Sequence, residues 1–246
     1  MRVKLGLGIV LVAAIGVGAG LWLTFGTSPA ESFTNTPLVA LGSSAEAPAQ
    51  LPARVSLPVP FTSQAPFGDW ASAQHDCEEA TLVMVDQYLR GDHSGGQIDP
   101  GTAQAAINRM TAWKKSVDLT DAQLGEMAQQ HLGWGWQVFP ATALNIKQQL
   151  ALGRPVIVGV RTHGLGNPNY PGYNDHHEQP AWSVSHYLVV AGYDAKTAIL
   201  NDPGITRGHG YHISFDQLFY AIEDLDRAYP NLDQGLIFLV VAPVAG

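Results

Sequence analysis

Cysteine occurs once in the 246 residues, as Cys77 within His75-Asp76-Cys77-Glu78-Glu79-Ala80-Thr81. An unpaired thiol can serve as a small buried hydrophobe or as a nucleophile, and its surroundings distinguish the two. The pattern predicts a helix from Cys77 to about Leu89, with Asp76 as N-cap and Glu79 at the spacing of a capping box. Cys77 would then lie in the first turn. Unpaired N–H groups and the helix dipole there favour a thiolate and lower the thiol pKa. Asp76, Glu78 and Glu79 oppose that effect, so a cationic partner would matter more.

Among the nine histidines, His186 is the candidate partner and base, because it opens the apolar run Tyr187–Tyr193 (YLVVAGY). A polar side chain at the mouth of a buried strand is held firmly and still meets solvent. Asp202 ends the next apolar run, within Asn201-Asp202-Pro203-Gly204. The connection Asp194-Ala195-Lys196 suits a hairpin, which would set the start of one strand beside the end of the next. Asp202 would thereby meet His186 and orient its ring, although Asn-Asp-Pro-Gly is also simply turn composition. Gln64, upstream of the helix, offers a side-chain N–H that could join the Cys77 backbone N–H in holding an oxyanion.

These residues need elements to carry them. Helices are expected from Pro100 after the cap Asp99 to about Lys115, after the capping pattern Thr120-Asp121-Ala122-Gln123, and over about Ala143–Leu152. A last one starts at Ser214 and ends near Tyr229. Strands are expected at Pro155–Val160, Tyr187–Tyr193, Thr197–Leu200 and Gly235–Val241, which are β-branched apolar runs of strand length. Helices dominate the first half and strands the second. That segregation reads as α+β rather than as alternating βαβ units.

Three segments follow from composition. Residues 1–25 contain Leu5–Phe25, an uncharged apolar run that as a helix would be roughly 30 Å long, enough to cross a bilayer. Arg2 and Lys4 before it favour a cytoplasmic N-terminus, so the expectation is a membrane anchor with everything downstream outside the cytoplasm. Ser28-Pro29-Ala30 permits the rival reading of a cleaved signal peptide and a secreted domain. Residues 26–56, rich in Ser, Thr, Pro and Ala, read as a flexible tether, and residues 57–246 as the domain.

The net charge is −8, with 21 acidic against 13 basic side chains. No cluster of Lys and Arg provides a phosphate-binding face, so nucleic acid is not an expected partner. The pair Lys114-Lys115 reads as a solvated helix face. The polar loop Thr162–Ser183 holds Asp175-His176-His177-Glu178. Adjacent residues seldom share one ion, so the loop is expected to cover a cleft rather than bind zinc, and no metal or cofactor is expected. His209 and His212 read as ordinary loop residues.

Together, VPFTSQAPFGDW, HDCEEATLVMV, SHYLVVAGYD and ILNDPG resemble the C39-like cysteine peptidase family of the wider papain-like class, over most of residues 57–241. The resemblance implies a papain-like fold in which the cysteine helix packs on an antiparallel sheet. It also implies Cys77 as nucleophile, His186 as base, Asp202 as orienter, Gln64 as oxyanion donor, and a peptide or protein substrate. The best-known members cut leader peptides on ABC exporters, a substrate that does not carry over to a chain without a transporter segment. Glu78-Glu79 replaces the glycine often found after the cysteine. An acyltransferase or cell-wall amidase of the same mechanism, or a silent peptide-binding module, are the alternatives.

Overall fold

A computed structural model of the chain describes residues 50–114, 116–165, 184–205, 207–230 and 236–241. The apolar run Leu5–Phe25, most of the tether and nearly all of the loop with His176 and His177 lie outside them. No helix among the described residues is long and apolar enough to cross a membrane.

The helices are α1 (Cys77–Leu89), α2 (Pro100–Thr111), α3 (Asp121–Leu132), α4 (Ala143–Ala151) and α5 (Phe215–Ala228). Four of them start as their sequences dictate. Asp99 accepts the Thr102 N–H at 2.8 Å ahead of Pro100, and Thr120 and Gln123 form a reciprocal capping box. Thr142 and Ser214 accept the N–H groups of Asn145 and Gln217, both at 3.1 Å. The exception is α1. Asp76 has φ −103° and ψ 18°, outside the extended region that a capping side chain needs, and makes no cap hydrogen bond. The expected capping box is absent because both members are engaged elsewhere: Asp76 accepts from the Thr111 hydroxyl at 3.3 Å, and Glu79 turns toward Lys114.

The strands are β1 (Val55–Ser56), β2 (Gly135–Pro140), β3 (Val156–Arg161), β4 (Ser185–Tyr193), β5 (Thr197–Asn201), β6 (Tyr211–Ser214) and β7 (Leu236–Val241). They form one seven-stranded sheet in the order β2-β7-β3-β4-β5-β6, antiparallel at every pairing. β1 continues the β3 edge of β4, pairing Val55 with Tyr193 and Ser56 with Gly192. Gly192 permits this, since a Cβ there would lie 3.0 Å from Ser56 Cα. The last two residues of the expected tether are therefore part of the sheet, and Tyr193 Oη donates to the Pro52 carbonyl at 2.9 Å.

β4 is buried on both faces. Tyr187, Val189 and Ala191 join a core with α1, α2 and α3, whereas Leu188 and Val190 join a second core with α4 and α5. Each Val or Leu side chain among these contributes roughly 1.5–3 kcal/mol of burial free energy. This double coverage explains why β4 reads as an unbroken apolar run rather than an alternating one. β2 and β6 were not legible as strands. β2 lies at one end of the sheet path with mostly half-exposed side chains and ends in Pro140, which an edge strand tolerates. β6 has only four residues and runs straight into the Ser214 cap. His212 falls in β6, and His209 stacks on Phe61 at 5.4 Å.

Candidate active site

The hairpin of β4 and β5 brings His186 and Asp202 together. His186 Nε2 lies 2.7 Å from Asp202 Oδ1, with both residues buried. Asp202 is held from three further directions. Its Oδ1 accepts the Gly204 N–H at 2.8 Å, its Oδ2 accepts the Tyr211 hydroxyl at 3.1 Å, and its own N–H donates to the Gly208 carbonyl at 2.8 Å. A carboxylate so bound cannot swing away from the ring. Gly204 packs against the imidazole itself, since a Cβ there would stand 2.8 Å from His186 Cε1. Neither Gly204 nor Tyr211 stood out in the sequence, where Gly204 reads as turn composition and Tyr211 falls in a strand that was not legible.

Cys77 is the first residue of α1 and is 6% exposed. Its sulfur donates to Glu78 Oε2 at 3.1 Å, and no hydrogen bond joins it to His186. The Tyr187 backbone also hydrogen-bonds the sulfur, which puts it one peptide unit from His186. Burial pushes the thiol well above its usual range, and the charge and hydrogen bond of Glu78 push the same way. The Tyr187 amide and the Lys114 charge pull it down but do not prevail. The lowered thiol pKa expected from the helix terminus is therefore overturned. Desolvation and an adjacent carboxylate outweigh the dipole.

Lys114 is the cation beneath the site rather than a solvated helix residue. α2 ends at Thr111, and the Lys114 side chain, 6% exposed, donates to Glu78 Oε2 at 3.0 Å and to the His75 carbonyl at 2.6 Å. It also lies 3.6 Å from Glu79 Oε2. Glu78 Oε1 accepts the Leu119 N–H at 3.3 Å, whereas neither carboxyl oxygen of Glu79 has a hydrogen-bond partner. Glu79 is fully buried and is pushed up to about 7 by that burial, with Lys114 pulling down and Glu78 and Asp76 pushing further up. Lys114 lies 36 residues from Glu78 along the chain, so no local signal could have disclosed the cluster.

Gln64 is buried, and its Nε2 donates to the Ala73 carbonyl at 2.6 Å. An amide nitrogen carries two hydrogens, so one remains for another acceptor. The Gln64 N–H donates to the Pro203 carbonyl at 2.9 Å, which ties this segment to the turn bearing Asp202. Gln64 also lines a cleft of about 540 Å³ together with His75 and Ser185, neighbours of Cys77 and His186 in the chain. Among the described residues, no group of three or more His, Cys, Asp or Glu side chains is arranged to hold a metal ion.

The Peptidase_C39 like family matches residues 56–233. A Bacillus anthracis crystal structure described as a C39-like peptidase superposes with TM-score 0.50 at 17% identity, covering 77% of this chain and 98% of its own. That likeness is one of fold. Xylellain, a cysteine protease from Xylella fastidiosa, aligns with TM-score 0.35 at 12% identity over 79% of this chain and 87% of its own. No curated protein matches the chain.

Proposed function

Because the chain belongs to the C39-like peptidase family, we propose that it is a cysteine peptidase of papain-like fold in which Cys77, His186, Asp202 and Gln64 carry the chemistry. The observation that carries this reading is the fixed His186–Asp202 pair at the end of β4, one residue from the amide that hydrogen-bonds the Cys77 sulfur. Asp202 occupies Nε2 of the ring, which leaves Nδ1 for the thiol.

The thiol rotates from Glu78 toward His186, which takes its proton. The thiolate attacks the carbonyl carbon of a peptide bond, and the oxyanion is held by the Cys77 N–H and the second Nε2 hydrogen of Gln64. The first turn of α1 suits this, since no side chain caps it. His186 returns the proton to the leaving amine as the C–N bond breaks. Water, deprotonated by His186, then attacks the thioester and frees the acid and the thiol.

The Glu78 hydrogen bond, which stabilises a protonated thiol, favours one other reading: a silent module that only holds peptide. Incubating the protein with a peptide mixture and analysing products by mass spectrometry decides between them. Products that appear with the parent chain and vanish with Cys77→Ala are expected. Peptides left intact by a folded parent protein would support the silent module.

The same reading places the domain outside the cytoplasm, tethered by Leu5–Phe25. Its support is the uncharged length of that run and the flanking Arg2 and Lys4. Protease added to intact cells should degrade the domain, and protection of residues beyond 56 would overturn the placement.

A further inference from the structure

The cleft beside the site has walls of distinctive chemistry. Gln64, His75 and Ser185 form the side nearest the site residues, while Trp70, Tyr229, Val117 and Val184 supply apolar surface. The two valines are 54% and 56% exposed, which leaves apolar area at the cleft for a ligand to cover. Asp118 is the one lining residue with a fixed charge among those described, and none is Lys or Arg. Ser185, which precedes His186 in β4, lines the same cleft, and its side chain interacts favourably with the Asp118 carboxylate.

Burial first and the Glu78 charge second hold the Asp118 carboxyl above its ordinary range, while Lys114 and His75 pull it down. Glu78 acts on it as a like charge and Lys114 as an opposite one. The Lys114 ammonium, however, is already engaged by Glu78 at 3.0 Å and faces Glu79 at 3.6 Å. Those two carboxyls offset part of its field at the cleft.

We propose that this cleft is the subsite for a substrate side chain with a long aliphatic stem and a cationic end, Lys or Arg, with Asp118 as its counter-charge. The proposal rests on the peptidase reading and narrows its substrate class. The stem covers Val117 and Val184, the cation pairs with Asp118, and the faces of Trp70 and Tyr229 suit both parts of such a side chain. An acidic side chain would meet a like charge. A purely apolar one would strip water from Asp118 and return nothing. The overall charge of −8 draws basic peptides toward the molecule as well.

Paired peptides that carry arginine or its uncharged isostere citrulline at each position around the cleaved bond provide the test. At one position the parent protein should cleave the arginine peptide at least about tenfold faster in kcat/KM, and the advantage should shrink as salt is added. In Asp118→Asn the ratio should fall to near one, and in Asp118→Lys it should invert in favour of the citrulline peptide. Equal rates for arginine and citrulline everywhere, or a preference that survives Asp118→Asn, would overturn the subsite. If the parent protein cleaves no peptide, the peptidase reading fails by itself. Fluorescence anisotropy of the same peptides on Cys77→Ala then decides the subsite: arginine must bind more tightly than citrulline, and only while Asp118 is present.

Discussion

Two buried glutamates follow Cys77, and they act on different properties. Glu78 holds the thiol proton by a direct hydrogen bond at 3.1 Å and adds a negative charge beside it. Replacing it by Gln removes the charge while keeping the shape, so the thiol should ionise more readily. Iodoacetamide should alkylate folded Glu78→Gln on the order of tenfold faster than the parent at neutral pH, the effect of about one pKa unit. An equal or slower rate would mean that burial alone sets the thiol. Glu79 bears on stability instead. Its carboxyl releases a proton near 7 in the folded chain but near the ordinary 4.5 when unfolded. The folded state therefore binds the proton more tightly, and stability is full below 4.5 and lost as pH rises through about 7. The loss is on the order of 3 kcal/mol. Denaturant unfolding at pH values below and above this window should show that fall in the parent and a smaller one in Glu79→Gln. Parallel pH profiles would show that Glu79 does not titrate as described.

Among the elements, the β4–β5 hairpin does most to assemble the site. Its parts were legible in the sequence: two apolar runs, a three-residue connection, and His186 and Asp202 at the ends that an antiparallel pairing joins. The clamp around Asp202 was not, because Tyr211 and Gly208 arrive from beyond the hairpin and Gly204 matters only through what it touches. Gly204 yields a prediction at this scale. A methyl there would meet His186 Cε1 at 2.8 Å and Nε2 at 3.0 Å, so Gly204→Ala should displace the imidazole. In the proposed peptidase reaction kcat should fall by about 10²-fold, as reacting groups about 1 Å out of place commonly cost, with KM little changed. Circular dichroism should report a native fold. Unaltered kcat would show that the ring has room to move. The α1 start was misread for a related reason. Asp76 and Glu79 have the local spacing of a cap, but Thr111 and Lys114, on and just after another helix, claim their side chains.

For the molecule as a whole, the sheet lies between two cores, which is why its central strands were visible from apolar runs and its half-exposed β2 and the four-residue β6 were not. The pairing of β1 has a consequence of direction. Val55 and Ser56 join β4 at Tyr193 and Gly192, and Tyr193 Oη reaches the Pro52 carbonyl, while His186 stands near the opposite end of the same strand. At about 3.3 Å per residue, roughly 23 Å of strand separates the point where the chain enters the fold from the imidazole. Force applied along the chain at β1 therefore takes hold at the end of β4 remote from the imidazole. A pull transmitted through Val55 and Ser56 would load the β1–β4 seam before it reached the His186 end of the strand.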